Sequence, residues 1–84
     1  MKVSDLAKYL SSRKVPEYYY TLGGVKDGDS IGIDFVDGQW VTYGCDRGRR
    51  TELEPHATEE AAIEQFLSEL SNLLEIYGER RIKR

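Results

Sequence analysis

The chain contains little cysteine, histidine and proline, and the shortage of cysteine and histidine excludes disulfides and structural zinc sites. Its 84 residues include one Cys, one His, two Pro, one Met and one Trp. A single cysteine cannot form an internal disulfide, and one cysteine with one histidine cannot supply the ligands of a structural zinc site. We therefore expect no metal, no cofactor and a cytoplasmic location.

Long apolar segments are also absent. No run reaches the ~18 consecutive apolar residues of a transmembrane helix, so we expect no membrane span. Residues 1–14 are too polar for a secretory signal. The length allows one small domain, which we place at 1–84, and a core of this size leaves little room for a catalytic cleft. We therefore expect that the protein is not an enzyme.

Charge is abundant and unevenly distributed. The chain has 12 Lys+Arg and 15 Asp+Glu, which gives a formal net charge of −3. Residues 1–16 hold four cations and one anion, residues 17–46 hold one cation and six anions, and the basic tail at 79–84 holds four cations and one anion. An acidic middle between basic ends can steer a charged partner, although the same charge also serves solubility.

Two segments have the apolar spacing of amphipathic helices. Apolar residues recur at i, i+3, i+4 and i+7 from Val3 to Leu10, which predicts a helix at about 3–13. A longer apolar stripe predicts a second helix at about 59–77, with Thr58 as its N-cap.

Between these helices the pattern changes to that of short β-strands. Strands are predicted at about 17–22, 30–36 and 39–45, and a fourth is considered at 50–54. The dipeptide Asp37-Gly38 is a two-residue turn signal that joins the second and third strands as a hairpin. We assign the fold class as α+β: an N-terminal helix, an antiparallel meander of three or four strands and a C-terminal amphipathic helix, with both helices on one face of the sheet.

The two-residue turn also fixes the register of the hairpin. Phe35 then lies opposite Trp40 on the side that the helices cover, whereas Asp34 and Tyr43 lie on the other side. This second side is expected to remain open and to carry Tyr19, Thr21, Asp34, Val36, Val41 and Tyr43.

An open sheet face with tyrosines and a carboxylate is typical of a protein-binding surface rather than of a catalytic cleft. In the run from Tyr18 to Tyr20, strand alternation places Tyr18 and Tyr20 in the core and Tyr19 outside.

Cys45, Asp46 and His56 contain the residue types of a nucleophilic catalytic set. Such a set also needs a cleft and an oxyanion hole, which the sequence does not indicate, and a lone cysteine at a strand end is usually a packing residue. We therefore assign no catalytic residue.

A small nucleic-acid-binding domain of αβββα order is the alternative function. It would use the loop arginines Arg47, Arg49 and Arg50 together with the basic tail. Against it, the last helix begins with Glu59-Glu60, where double-stranded-RNA-binding domains present cations to phosphate, and the chain is acidic overall.

Four short motifs follow one another along the chain: Tyr20-Thr21-Leu22-Gly23-Gly24, Trp40-Val41-Thr42-Tyr43, Asp46-Arg47-Gly48 and Thr58-Glu59-Glu60-Ala61. Through these motifs, residues 16–75 resemble small immunity proteins of bacterial polymorphic-toxin systems. In that family a Y-x-L-x-G strand precedes a W-x-V-Y-Y strand, an E-R-G turn and a helix that begins T/S-E-x-E-A. Asp46 replaces the usual Glu, and His56 stands where a large apolar residue is usual.

The resemblance implies a cytoplasmic protein that binds a cognate toxin domain and blocks it without catalysis. A membrane partner is not expected. The partner contacts are expected at Tyr19, Asp34, Tyr43, Asp46 and Arg47. The two tyrosines would be anchors, and the two aspartates would complement a toxin site that binds a phosphate-rich substrate. For Arg47 the alternative is a structural ion pair with Asp46 or Glu52.

Overall fold

The computed structural model describes residues 1–76 and shows an α+β fold, which confirms the predicted class. The predicted tail at 79–84 lies outside the described residues. The elements, in chain order, are α1 (Val3–Ser12), a short 3₁₀ helix (Glu17–Tyr19), β1 (Tyr20–Leu22), β2 (Ser30–Val36), β3 (Gln39–Asp46), β4 (Arg49–His56) and α2 (Glu59–Ile76).

The strands form one sheet in the order β1-β2-β3-β4, in which the last three strands make two antiparallel hairpins. Asp37-Gly38 connects β2 to β3 with φ values of 50° and 78°, and Arg47-Gly48 connects β3 to β4 with 52° and 80°. Positive φ at both turn residues is the type I′ geometry, whose twist matches that of the strands. Phe35 pairs with Trp40, so the predicted register of the first hairpin is confirmed.

The first half of the strand predicted at 17–22 is a 3₁₀ helix instead. Pro16 precedes it with φ fixed at −61°, and the Pro16 carbonyl accepts a hydrogen bond of 3.2 Å from the Tyr19 N–H. Coiling breaks the strand alternation, so Tyr19 and Tyr20 are both buried in the core while Tyr18 is 64% exposed. The expected outward position of Tyr19 and inward position of Tyr18 are therefore wrong.

The direction of β1 is the second correction. β1 runs parallel to β2, with Tyr20 opposite Ile31 and Leu22 opposite Ile33, so the antiparallel meander is wrong for this strand. A parallel pair requires the connecting chain to return across a face of the sheet rather than to turn at its edge. Residues 23–29 make this return.

The fourth strand is present and longer than the predicted 50–54. It continues through Pro55, which lacks an N–H but is tolerated because β4 is an edge strand. Its pairing with β3 shifts by one residue between Thr42 and Gly44, and Glu52 lies in the resulting β-bulge with a φ of 51°.

The main core lies between the two helices and one face of the sheet. The predicted cap of α2 is confirmed, because the Ala61 N–H donates to Thr58 Oγ1 at 3.1 Å. The start of α1 is tied to α2 by a hydrogen bond of 2.9 Å from the Val3 N–H to Glu59 Oε2. Within residues 1–76, neither helix combines the length and apolarity needed to cross a bilayer. The buried residues of this core are Leu6, Leu10, Val15, Tyr19, Tyr20, Ile33, Ala62, Ile63, Phe66, Leu67, Leu70 and Leu74.

Candidate partner-binding site

The sheet face opposite the helices is covered, not open as the sequence predicted. Val41, Tyr43 and Cys45 form a second buried cluster there, and Thr21 on β1 is only 5% exposed. The cover follows from the parallel pairing of β1 with β2, because residues 23–29 return across this face to reach the start of β2. This segment is called the crossing loop below.

The crossing loop is held to the sheet at Gly24. The Gly24 N–H donates to Asp34 Oδ2 at 3.2 Å, and the Gly24 carbonyl accepts a hydrogen bond of 2.7 Å from the Tyr43 hydroxyl. Both backbone polar groups of one loop residue are thus satisfied by side chains of β2 and β3. At the same end of the loop, Lys26 Nζ donates to the Glu17 carbonyl at 2.8 Å.

Tyr43 reaches the loop because it packs directly on Gly32 of the neighbouring strand. A Cβ at Gly32 would lie 2.5 Å from Tyr43 Cζ and 2.8 Å from Cδ2, distances that only glycine avoids. The ring is 1% exposed, and its burial raises the pKa of Tyr43 to about 12. The hydroxyl is therefore protonated at neutral pH and available as a donor.

Asp34 is the second support of the loop and is itself fixed by three donors. Its Oδ1 accepts from the Phe35 N–H at 2.8 Å, and its Oδ2 accepts from Gly24 and from Arg50 Nη2 at 2.5 Å. Burial disfavours the carboxylate, but the two backbone hydrogen bonds and the Arg50 charge outweigh burial and lower the pKa of Asp34. The Arg50 guanidinium also stacks over the Tyr43 ring, 4.6 Å from its centroid.

The five residues predicted from the sequence fall into three environments. Asp34 and Tyr43 meet in the network under the crossing loop, whereas Tyr19 lies in the core on the other face of the sheet. Tyr19 and Tyr43 are 9% and 1% exposed, so neither ring is accessible as a partner anchor. Asp46 and Arg47 are exposed at the turn between β3 and β4.

Two exposed carboxylates, of Asp29 and Asp46, lie at one end of the sheet. Asp29 immediately precedes Ser30, Asp46 immediately follows Cys45, and Ser30 pairs with Cys45 in the sheet. The end of the crossing loop and the turn after β3 are therefore neighbours, although 16 residues separate them in the sequence. Sequence reasoning missed Asp29, although the register set by Asp37-Gly38, extended by one residue beyond Ser30 and Cys45, places Asp29 opposite Asp46.

A third carboxylate extends this surface. Asp27 Oδ1 lies 3.6 Å from the position that a Cβ of Gly48 would occupy, so the middle of the crossing loop contacts the same turn. Asp27, Asp29, Asp46 and Arg47 are all exposed. We call the surface formed by residues 25–29 and 46–48 the acidic end.

The Cys45 and His56 pair is not assembled. Cys45 is buried on the face under the crossing loop. His56 pairs with Trp40 near the other end of β3 on the helix-covered face, and its Nε2 lies 2.8 Å from Thr42 Oγ1. Among residues 1–76, no group of three or more His, Cys, Asp or Glu side chains is placed to hold a metal ion.

The three loop arginines do not form one basic surface. Arg50 is engaged with Asp34 under the crossing loop, while Arg49 is the next residue along β4 and therefore faces the other side of the sheet. Arg47 is exposed at the turn. In the described part of the chain, no salt bridge joins Arg47 to Asp46 or Glu52.

A cleft of about 280 Å³ lies between the C-terminal half of α2 and the sheet. It includes none of the five residues predicted from the sequence. Its lining consists of Ile31, Gly44, Glu52, Glu69, Asn72, Leu73 and Ile76.

No protein-family model, curated protein or solved structure matches this chain. A function must therefore be inferred from the residues and their geometry.

Proposed function

We propose that this chain is an immunity protein that acts in the cytoplasm, where it binds a cognate bacterial toxin domain and neutralises it by covering its active or substrate site. The observation that carries the proposal is the acidic end, where the crossing loop and the β3–β4 turn present Asp27, Asp29 and Asp46 together. The motif Asp46-Arg47-Gly48, one of the four that resemble the immunity proteins, lies within this surface.

The charge of this surface indicates the kind of toxin that it fits. At the acidic end three carboxylates outnumber two cations, Lys26 and Arg47. This excess favours a partner with a cationic patch, and enzymes that bind phosphate-rich substrates carry such a patch at their active site. A nuclease or an NAD-consuming enzyme is the expected class. The carboxylates would occupy the positions of substrate phosphates and would also accelerate association at low ionic strength.

The exposure of Arg47 is compatible with a contact at the turn. Its φ of 52° belongs to the type I′ turn that joins β3 to β4. Within residues 1–76 its side chain makes no salt bridge with Asp46 or Glu52, so the guanidinium is available to a partner. In this proposal Asp46 and Arg47 keep the contact roles expected from the sequence, whereas Tyr19 and Tyr43 become structural residues.

The test is binding to the C-terminal domain of the protein encoded by the adjacent upstream reading frame. Affinity is measured by calorimetry, and neutralisation by co-expression of the two proteins in bacteria. A double Asp27→Asn, Asp46→Asn variant should bind at least ~30-fold more weakly if these carboxylates form a hot spot of about 2 kcal/mol. Asp37→Asn is the matched control, since Asp37 is equally exposed but lies at the opposite end of the β2–β3 hairpin.

The outcomes separate the alternatives. If Asp37→Asn binds more weakly and the acidic-end variant binds like wild type, the contact lies at the β2–β3 turn and not at the acidic end. A wild-type chain that neither binds nor neutralises the domain contradicts the immunity function. A gel shift with RNA or DNA that weakens steeply with salt would support the nucleic-acid alternative.

A further inference from the structure

We infer that Arg50 and Asp34 are positioning residues for the acidic end: they hold the crossing loop in the shape that a partner recognises. The inference rests on the proposed function for its biological meaning, but the coupling itself is a property of the free protein. It starts from the observation that an arginine of the edge strand β4 is connected, through a single carboxylate, to the loop that joins the two strands at the other edge of the sheet.

The connection runs through three strands. Arg50 on β4 reaches across the face of β3, where its guanidinium stacks on the Tyr43 ring, and its Nη2 binds Asp34 Oδ2 on β2. The same Oδ2 accepts the Gly24 N–H of the crossing loop. The loop is therefore tied to the sheet by a carboxylate whose charge and orientation depend on Arg50.

The orientation of Arg50 also shows what the network favours. Its Nε is buried and has no hydrogen-bond partner within residues 1–76, which is an unfavourable state for a charged side chain. In this orientation the guanidinium contacts Asp34 and Tyr43 together, and these two contacts are the ones that connect Arg50 to the crossing loop.

Gly24 is where this restraint acts on the loop. Its φ of 74° is accessible to glycine without strain, so the residue itself provides no stiffness. Its conformation is set by the Asp34 and Tyr43 hydrogen bonds on either side of it. Asp27 and Asp29 follow Gly24 within five residues. If the restraint is lost, these two residues sample many positions, and a partner must order them on association, which weakens binding.

The experiment measures the loop in the free protein and then in binding. Site-resolved amide exchange by NMR compares wild type, Arg50→Ala, Arg50→Lys and the control Arg49→Ala. Arg49 is the matched control because it is adjacent to Arg50 in β4 and its side chain lies on the other face of the sheet. In Arg50→Ala the Gly24 N–H should exchange about tenfold faster relative to the amides of the β2–β3 ladder, because a hydrogen bond to a charged group is lost or weakened. Arg50→Lys should recover part of the protection, since it restores the charge beside Asp34 without the planar stack on Tyr43. Arg49→Ala should leave Gly24 unchanged.

The inference is overturned if Gly24 exchange is the same in Arg50→Ala and wild type, or if all amides accelerate by one common factor, which would show only global destabilisation. The binding arm uses the same toxin domain as above. Arg50→Ala should bind about tenfold more weakly, and a loosened loop with unchanged affinity would refute the positioning role. If the wild-type chain does not bind at all, the proposed function fails while the exchange data still decide the coupling.

Discussion

The packing of Tyr43 on Gly32 gives the sharpest test of the tertiary structure. An alanine at position 32 would place its Cβ 2.5 Å from Tyr43 Cζ, so the ring must move. The ring is fully buried, and its movement would also break the hydroxyl bond to Gly24. Overpacking costs about 1–3 kcal/mol and the hydrogen bond about 1 kcal/mol, against a gain of about 0.5–1 kcal/mol for replacing a strand glycine.

We therefore expect Gly32→Ala to lose about 2 kcal/mol of unfolding free energy. For a domain of this size each kcal/mol lowers Tm by about 4–8 °C, so a drop of roughly 8–16 °C is expected in thermal unfolding. The double variant with Tyr43→Val provides the control, because without the ring the alanine should be neutral or slightly stabilising. An unchanged or raised Tm for Gly32→Ala, or costs that simply add in the double variant, would refute the packing argument.

Two further predictions concern acid stability and the tyrosine run. The pKa of Asp34 is lower in the folded state, so the unfolded chain binds the proton first as the pH falls. The stabilisation from Asp34 is therefore complete above the unfolded pKa of 3.8 and is lost as the pH falls through the folded pKa. In urea unfolding below about pH 4, Asp34→Asn should lose less unfolding free energy per pH unit than wild type, and identical slopes would contradict the shift. Tyr19→Ala should lower the unfolding free energy by about 3 kcal/mol because the ring is buried. Tyr18→Ala should lower it by less than about 1 kcal/mol, mainly through loss of the 4.6 Å contact with the Tyr19 ring. Equal losses in chemical denaturation would argue against the 3₁₀ helix.

Local sequence determined the elements whose signals are short-range. The period of apolar residues and the Thr58 cap placed α2 correctly, because capping and helical periodicity act within a few residues. Asp37-Gly38 fixed both the hairpin and its register, since a two-residue turn leaves one pairing of the flanking strands. The position of Asp34 and Tyr43 on the same face followed from that register alone.

The direction of β1 was not determined in this way. Gly23-Gly24 permits a chain reversal in several directions, so the same residues are compatible with an antiparallel hairpin and with a parallel return. Pro16 gave a local reason for a turn, but strand propensity of the tyrosines predicted the opposite. The parallel direction is a property of the assembled sheet, while the 3₁₀ helix that follows Pro16 is what turns Tyr19 into the core.

The candidate site depends on this same decision. The sequence alone predicted a small domain whose middle segment is acidic. It also predicted that Asp46 and Arg47 lie in an exposed turn, because turn-forming residues act locally. Only the tertiary structure decided that the crossing loop covers the second sheet face, buries Tyr43 and brings Asp27 against the turn that follows Asp46. The physical reason is that a parallel pair of adjacent strands forces its connection across the sheet, a constraint that exists only once the strands have paired.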